Sequence, residues 1–357
     1  MQSTGTRTRQ ERLTLAELWA NWKEVILSCN LREGRVMDFV SKWLILTRAC
    51  VFSMTLTSGI IGGLLAARHP NFNPLYFVLA MVGLAIAHAS NNLINDYFDE
   101  AVGLDSSEGY ARAQYAPHPI LSGLVSKAQV RNAILLLNLI DLGIMIYLTA
   151  MRGPLVIGFA LAGLFISFFY TAPPLRLKRI GLGELGVLLV WGPLMIGGTY
   201  YVTAGELPLW VIVASLPYAL LVTTVLIGKH IDKIAQDKPR GIHTLPVILG
   251  EKAALRLNEA LFLIFYVVVF ALIATSSLSV WLVLTLLSVP MLIETLKLYE
   301  TPKPAKPPEN YPVWPLWFVS IAFRFTRLAG GTFILAVLLN AFLPLTLADV
   351  LRWLGIG

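Results

Sequence analysis

Nine apolar stretches, each about as long as a membrane-spanning helix, dominate this sequence. They lie near residues 39–66, 74–97, 130–150, 154–172, 183–203, 208–229, 257–276, 278–298 and 315–344. A helix needs about 20 apolar residues to cross the hydrocarbon core of a bilayer. Only 14% of the residues are charged, whereas soluble domains average about 25%. The sequence therefore predicts an all-α, multi-pass transmembrane bundle of nine helices, surrounded by membrane lipids.

Two shorter regions flank the predicted membrane domain, which covers residues 37–345. Residues 1–36 include the string "LTLAELWANWKEVIL", whose apolar spacing is typical of an amphipathic helix on a membrane surface. Residues 346–357 form a C-terminal tail. The two cysteines, Cys29 and Cys50, indicate neither a disulfide framework nor a zinc site.

The distribution of basic residues orients the predicted bundle. Of the 28 lysine and arginine residues, 22 lie in the N-terminal segment or in the loops on its side, and only Arg68, Arg152 and Arg352 lie on the opposite side. By the positive-inside rule the N-terminus and its loops are cytoplasmic, so we expect a protein of the cell membrane with cytoplasmic cap loops. Because these bases sit in short loops, the net charge of +7 does not indicate nucleic-acid binding.

The predicted second span ends in the polar string "HASNNLINDYFDEAVGLD", which supplies Asn92, Asn95, Asp96, Asp99 and Asp105. Asn92, Asp96 and Asp99 are four and three residues apart, so they share one face of a helix. Carboxylates at membrane depth are costly and indicate function. Mg²⁺ prefers oxygen ligands and is commonly held by one or two carboxylates together with substrate phosphates. This helix end is therefore a candidate magnesium site.

The predicted sixth span ends in "LIGKHIDKIAQDKPRGIHTLP", which supplies Lys229, Asp232, Asp237 and Arg240. The orientation places this end on the cytoplasmic side with the first. Two facing acidic clusters can hold Mg²⁺ ions that bridge a diphosphate, while nearby basic side chains bind the phosphate oxygens. The alternative for this end is a hydrated loop in which lysine and aspartate pair four residues apart.

These motifs, in this order, resemble the UbiA superfamily of intramembrane prenyltransferases over most of residues 40–340. Most branches place another aspartate where this chain has Gly103, and its next acidic residue is Asp105. With this spacing of its aspartates, the string "NDYFDEAVGLD" is similar to the menaquinone branch, the 1,4-dihydroxy-2-naphthoate polyprenyltransferases. The string "FYTAPPLRLKRIGLGELGVLLVWGPLMIGGTYYVTAG", at residues 169–205, resembles the same branch.

The resemblance implies a fold, a reaction and a set of site residues. It implies a UbiA-type bundle, a polyprenyl diphosphate and an aromatic acceptor as substrates, and Mg²⁺ as cofactor. If the acceptor is dihydroxynaphthoate, its carboxylate leaves as CO₂ and the product is demethylmenaquinone. The implied metal ligands are Asp96, Asp99, Asp105, Asp232 and Asp237. The implied catalytic residues are Asp96, Asp99, Asp232, Asp237 and Tyr170, the last lying near the reactive carbon. The implied diphosphate-binding residues are Asn92, Asn95, Lys178, Lys229 and Arg240.

The chain departs from the family pattern at two places. Asp232 and Asp237 are five residues apart instead of four, so on a regular helix they point about 140° from each other. Lys233 occupies the position of the first family aspartate, and His118 replaces a common arginine. These departures leave other acceptors open: 4-hydroxybenzoate, homogentisate, a tetrapyrrole or a lipid headgroup. A secondary transporter and a non-catalytic lipid-binding relative are alternatives from other classes. The prenyl chain length and the oligomeric state stay open.

Overall fold

The computed structural model describes residues 13–32, 34–101, 120, 123–309, 311 and 314–355, with residues 99–101 by their backbone alone. Every regular element in this part of the chain is helical. Eight segments are long and apolar enough to cross a membrane: Ala49–Ala66, Pro74–Phe98, Lys127–Arg152, Gly183–Ala204, Leu209–Asp232, Glu251–Ala274, Val280–Glu300 and Phe318–Phe342. A further apolar helix, Leu155–Phe169, is shorter. The prediction of an all-α, multi-pass membrane protein is confirmed, and each predicted stretch overlaps one of these segments.

The helices are numbered in chain order. They are α1 (Leu15–Ser28), α2 (Phe39–Leu46), α3 (Phe52–Ala66), α4 (Pro74–Ala101), α5 (Lys127–Arg152), α6 (Leu155–Phe169), α7 (Gly183–Leu189), α8 (Gly198–Ala204), α9 (Leu209–Asp232), α10 (Ile234–Asp237), α11 (Leu245–Leu249), α12 (Glu251–Ala274), α13 (Val289–Glu300), α14 (Phe318–Phe342) and α15 (Leu347–Trp353). A π-helical stretch that contains Pro193 joins α7 to α8, because proline removes one hydrogen bond from the helical ladder.

Helix α9 lies at the centre of the bundle. It packs against α12, α14, α7 and the π-helical stretch after α7. Of an 18-residue apolar stretch of α9, 72% is buried inside the protein, compared with 6% for the corresponding stretch of α5. On α5 the side chains of Leu135, Leu136 and Leu139 are exposed. Exposed leucines are the expected outer surface of a helix whose solvent is lipid. The C-terminal end of α9 therefore emerges from the middle of the protein, where a site can be enclosed.

The first predicted stretch, 39–66, is not one continuous helix, so the prediction is wrong in this detail. Helices α2 and α3 are separated by a break in which Arg48 has a left-handed backbone, with φ of 55°. The sequence analysis placed Arg48 inside the span, but the break turns its guanidinium towards α4. Arg48, a charged residue inside an apolar stretch, thus lies where the helix is interrupted, and its charge pairs with a residue of α4.

The N-terminal helix α1 is attached to the break that precedes α3. Trp22 Nε1 donates to Asp38 Oδ1 at 3.0 Å, and Asn21 Nδ2 donates to Asp38 Oδ2 at 3.2 Å. Burial of this carboxyl opposes ionisation, but the hydrogen bonds from Ser41, Trp22 and Asn21 lower the pKa of Asp38 to about 2. Cys29 at the end of α1 forms a disulfide with Cys50, a pairing that the sequence analysis did not predict.

Candidate active site

The C-terminal end of α4 is fixed by the break that precedes α3. The side chain of Asp96 is completely buried and accepts a hydrogen bond from the guanidinium of Arg48. One helical turn earlier, Asn92 Nδ2 donates to the carbonyl oxygen of Thr47 at 2.8 Å. Because residues four apart lie on one helix face, Asp96 and Asn92 both contact the same short segment. The end of α4 therefore presents its carboxylate against a cation, away from lipid.

Two hydrogen bonds join α4 to the end of α6. Thr171 Oγ1 donates to Asn95 Oδ1 at 3.0 Å, and Ser167 Oγ donates to Asn91 Oδ1 at 2.7 Å. Tyr170 lies between these two donors, directly after the last residue of α6. The run of asparagines in α4 thus has a structural explanation, because its amides fix the position of the chain around Tyr170.

The segment from Tyr170 to Glu184, here called the bridging turn, connects the ends of α4 and α9. The backbone N–H of Lys178 donates to the carbonyl oxygen of Tyr170 at 3.1 Å. A Cβ on Gly183 would lie 3.1 Å from Tyr170 Cε2 and 3.2 Å from Lys178 Cα, so a larger residue there would require these neighbours to shift. Glu184 Oε1 then contacts His230 Nδ1 of α9 at 2.6 Å, and both side chains are 2% exposed. The bridging turn is therefore fixed at both of its ends.

Asp232, the last residue of α9, faces α14. Lys303 Nζ donates to Asp232 Oδ1 at 3.0 Å, and the backbone N–H of Val319 donates to Oδ2 at 3.0 Å. A Cβ on Gly228 would lie 2.9 Å from the carbonyl oxygen of Phe318, so this glycine lets α14 approach α9. Both carboxylate oxygens of Asp232 are thus engaged by the protein itself.

Asp237 is placed differently, because α9 is interrupted at Lys233 before α10 begins. The side chain of Asp237 is 0% exposed, and neither of its oxygens has a hydrogen-bond partner among the described residues. Lys233 Nζ lies 4.0 Å from Asp237 Oδ1, beyond hydrogen-bond distance. A buried carboxylate without hydrogen bonds is costly. An oxygen-seeking cation such as Mg²⁺ fits this carboxylate.

Hydrogen bonds also connect the loop after α10 to the bridging turn. The backbone N–H of His243 donates to the carbonyl oxygen of Arg179 at 3.1 Å, and Arg240 Nη1 donates to the carbonyl oxygen of Gln236 at 2.7 Å. Lys178 on the bridging turn and Lys229 on α9 are half-buried. The predicted cations thus come from three elements: Lys178 from the bridging turn, Lys229 from the last turn of α9 and Arg240 from the loop after α10.

Part of the predicted site lies outside the described residues, namely Asp105 and the side chain of Asp99. Within the part that is described, no three histidine, cysteine, aspartate or glutamate side chains converge on one point. The sequence analysis missed the contacts of Arg48 with Asp96 and of Lys303 with Asp232. The sequence gives a sign of the Arg48 contact, because a charge inside an apolar stretch is visible there. It gives none of the Lys303 contact, because Lys303 and Asp232 are too far apart for any local pattern.

The sequence model described as the UbiA prenyltransferase family matches residues 56–321. The chain belongs to this family. The 1,4-dihydroxy-2-naphthoate octaprenyltransferase of Bacillus subtilis is 27% identical over 256 residues, which are 71% of this chain and 80% of that protein. The enzyme of the same name from Escherichia coli is 29% identical over 255 residues, covering 71% and 82%.

A solved UbiA homologue from Archaeoglobus fulgidus, bound to GPP and Mg²⁺, superimposes with a TM-score of 0.57 at 18% identity, covering 83% of this chain and 99% of that one. This likeness shows the UbiA fold. The UbiA match contains both helix ends and the bridging turn, whereas α1, α2 and Arg48 lie before it. The prediction that the chain is an intramembrane prenyltransferase is confirmed by family membership.

Proposed function

We propose that this protein transfers a prenyl group from a polyprenyl diphosphate to an aromatic acceptor, and that the acceptor is 1,4-dihydroxy-2-naphthoate. The observation that carries the proposal is the buried carboxylate of Asp237, which lacks hydrogen bonds among the described residues and lies 4.0 Å from the Lys233 ammonium just after the central helix. The completely buried Asp96 on α4 supplies a second carboxylate. The names of the Bacillus subtilis and Escherichia coli relatives support the choice of acceptor.

We propose Mg²⁺ as the cofactor, held by Asp96, Asp99 and Asp237, with Asp105 as a further predicted ligand. Mg²⁺ held by these residues would supply positive charge to the diphosphate and to the charge that develops on the leaving group. The homologue solved with GPP and Mg²⁺ supports this choice. We leave Asp232 out of the metal shell, because both of its oxygens already accept hydrogen bonds within the protein.

The basic residues of the site bind and orient the diphosphate. Lys178, Lys229 and Arg240 come from the bridging turn, the end of α9 and the loop after α10, so they can contact different phosphate oxygens. Asn92 and Asn95 fix the end of α4 through Thr47 and Thr171, and their amides are the proposed further contacts to the diphosphate.

Tyr170 is proposed to contact the reacting carbon. The bond between the allylic carbon and the diphosphate oxygen breaks, and its electron pair leaves with the diphosphate. The face of the Tyr170 ring stabilises the resulting allylic cation by cation–π attraction. An electron-rich carbon of the acceptor then forms the new bond, and with dihydroxynaphthoate the carboxylate on that carbon leaves as CO₂. No covalent bond to the protein is required.

Location follows from the same chemistry. We propose that the protein lies in the cell membrane with its N-terminus and both helix ends in the cytoplasm, as the excess of basic residues on that side predicts. A diphosphate head is water-soluble and a polyprenyl tail is not. A site at the cytoplasmic ends of the spans lets the head approach from water while the tail stays in lipid.

The test is prenyl transfer by the purified protein with Mg²⁺, with EDTA, and in the variants Asp96→Asn and Asp237→Asn. The matched control is Asp349→Asn, because Asp349 pairs with Arg352 on the exposed helix α15. We expect a loss of transfer in EDTA and in both site variants, and wild-type transfer in the control. Undiminished transfer in EDTA or in Asp96→Asn contradicts the proposal. Prenylation of 4-hydroxybenzoate instead of dihydroxynaphthoate contradicts only the acceptor.

A further inference from the structure

The break between α9 and α10 buries a lysine beside the carboxylate of Asp237. Lys233 is 6% exposed and Asp237 is 0% exposed. Their charged atoms are 4.0 Å apart, whereas a charge-assisted hydrogen bond between such groups is about 2.7–2.9 Å long. A buried ion pair is stable only when further hydrogen bonds complete it. The oxygens of Asp237 lack such bonds among the described residues, so this carboxylate can take a further polar ligand beside the Lys233 ammonium.

We propose that Lys233 binds the diphosphate of the substrate directly, as a fixed positive charge at the point where Asp237 binds the metal. The inference rests on the proposed function and names one further ligand-binding residue of its site. A carboxylate and an ammonium side by side can take a phosphate–metal pair, the metal on the carboxylate and a phosphate oxygen on the ammonium.

The neighbouring residues favour this assignment for Lys233. Both Asp232 oxygens accept hydrogen bonds, from Lys303 Nζ and from the Val319 N–H, whereas the Asp237 oxygens accept none among the described residues. The backbone N–H of Asp237 donates to the carbonyl oxygen of Lys233 at 2.8 Å, which fixes the two residues on consecutive turns. Among the described residues, the second helix end therefore presents a buried carboxylate without hydrogen bonds and, 4.0 Å from it, a buried ammonium.

The experiment measures two affinities of the purified protein. Inorganic pyrophosphate binding in the presence of Mg²⁺ is measured by calorimetry, and binding of Mn²⁺ alone is measured by electron paramagnetic resonance. The variants are Lys233→Gln, Lys233→Arg and Lys233→Asp, and the control is Lys306→Gln, an exposed lysine between α13 and α14. A thermal melt of each variant in detergent verifies that it is folded.

Lys233→Gln is expected to weaken pyrophosphate binding at least about tenfold, which corresponds to about 1.4 kcal/mol, and to tighten Mn²⁺ binding, because a positive charge beside Asp237 is removed. Lys233→Arg keeps the cation and is expected to bind pyrophosphate within about threefold of wild type. Lys233→Asp is expected to add a Mn²⁺ ion per chain, because it places two carboxylates four residues apart on one face.

The inference is overturned if Lys233→Gln binds pyrophosphate as tightly as Lys306→Gln, or if it loses Mn²⁺ together with pyrophosphate, since the lysine then only supports the position of Asp237. Absence of pyrophosphate binding by the wild type also overturns it. The outcomes separate the two proposals. If Lys233→Gln binds pyrophosphate with wild-type affinity and still transfers prenyl groups, the proposed function stands and the inference about Lys233 is wrong. If Lys233→Gln loses pyrophosphate affinity tenfold but the wild type prenylates no acceptor, the inference about Lys233 stands and the proposed function is wrong.

Discussion

Exchanging Asp232 for asparagine is expected to weaken the fold and to leave metal binding intact, although Asp232 stands in a motif that resembles a metal site. The side chain is 0% exposed and accepts from Lys303 Nζ and from the Val319 N–H, each at 3.0 Å. In Asp232→Asn the amide oxygen still accepts from Val319, so the change removes one charge-assisted contact. The variant thus tests whether this acid stabilises the protein or binds the cofactor.

The magnitude follows from the burial of the two partners. A hydrogen bond to a charged group contributes about 1.5–3 kcal/mol. Lys303 is 25% exposed and also donates to the carbonyl oxygen of Pro315, so it stays partly solvated and bonded after the exchange. We therefore expect a loss near the lower limit, about 1.5–2 kcal/mol.

The matched variant is Asp237→Asn, at the other acid of the motif. The Asp237 oxygens have no hydrogen bonds among the described residues, so neutralising this buried carboxylate is expected to leave the free energy of unfolding unchanged or to raise it. Mn²⁺ binding should be lost. The two variants are therefore expected to differ: Asp232→Asn lowers the free energy of unfolding and keeps Mn²⁺ binding, whereas Asp237→Asn loses Mn²⁺ binding without losing stability.

The assay is unfolding of the purified protein in mixed detergent micelles, followed by tryptophan fluorescence, with Mn²⁺ titrations on the same samples. A double-mutant cycle with Lys303→Met isolates the pair, and we expect a coupling energy of about 1–2 kcal/mol between residues 232 and 303. If Asp232→Asn abolishes Mn²⁺ binding at unchanged stability, or if the coupling is zero, the structural role argued for this acid is refuted.

Three further variants test other contacts. Gly228→Ala puts a Cβ 2.9 Å from a backbone carbonyl oxygen of α14, so we expect a loss of about 1–3 kcal/mol in the same unfolding assay; wild-type stability contradicts this packing. Cys29→Ser removes the bond to Cys50, which closes a loop with a sequence separation of 21, and chain entropy predicts a loss of about 3 kcal/mol. Dithiothreitol should destabilise the wild type equally and leave the variant unaffected. Because the pKa of Asp38 is lowered from 3.8 to about 2, its stabilising effect is present above about pH 4 and is lost as the pH falls through about 2. The fluorescence difference between wild type and Trp22→Phe should change only in that interval, and a transition near neutral pH contradicts the assigned hydrogen bonds.

The membrane spans were predictable because lipid imposes both a length and a composition on a helix. The break at Arg48 was not, because hydropathy averages over a window and apolar residues surround this one charge. What ends the helix there is the contact of Arg48 with Asp96, 48 residues further along the chain. The charge itself was visible, and a cation inside an apolar stretch predicts a buried partner without naming it.

The two acids of the second motif show a different limit. Their spacing of five residues predicted that Asp232 and Asp237 point apart on a regular helix, but the helix is interrupted at Lys233, so the two acids lie on different helices, α9 and α10. The spacing could not tell which of them faces the site. That depends on where the start of α14 contacts α9, which Gly228 and the Val319 N–H determine over a long separation in sequence.

The two helix ends thus differ in the charge that they offer to a ligand. Among the described residues, the buried acid at the end of α4 accepts from one arginine, Arg48, and is accompanied by amides, whereas at the end of α9 two lysines, Lys229 and Lys233, accompany Asp237, whose oxygens accept no hydrogen bond. A diphosphate carries several negative charges, and fixed ammonium groups neutralise part of them without a metal. Pyrophosphate should therefore retain measurable affinity in EDTA, with a strong dependence on salt, while prenyl transfer, which requires the leaving group to be stabilised, should not survive removal of the metal. If affinity and transfer disappear together in EDTA, the lysines do not act as fixed counter-charges and the metal alone holds the substrate.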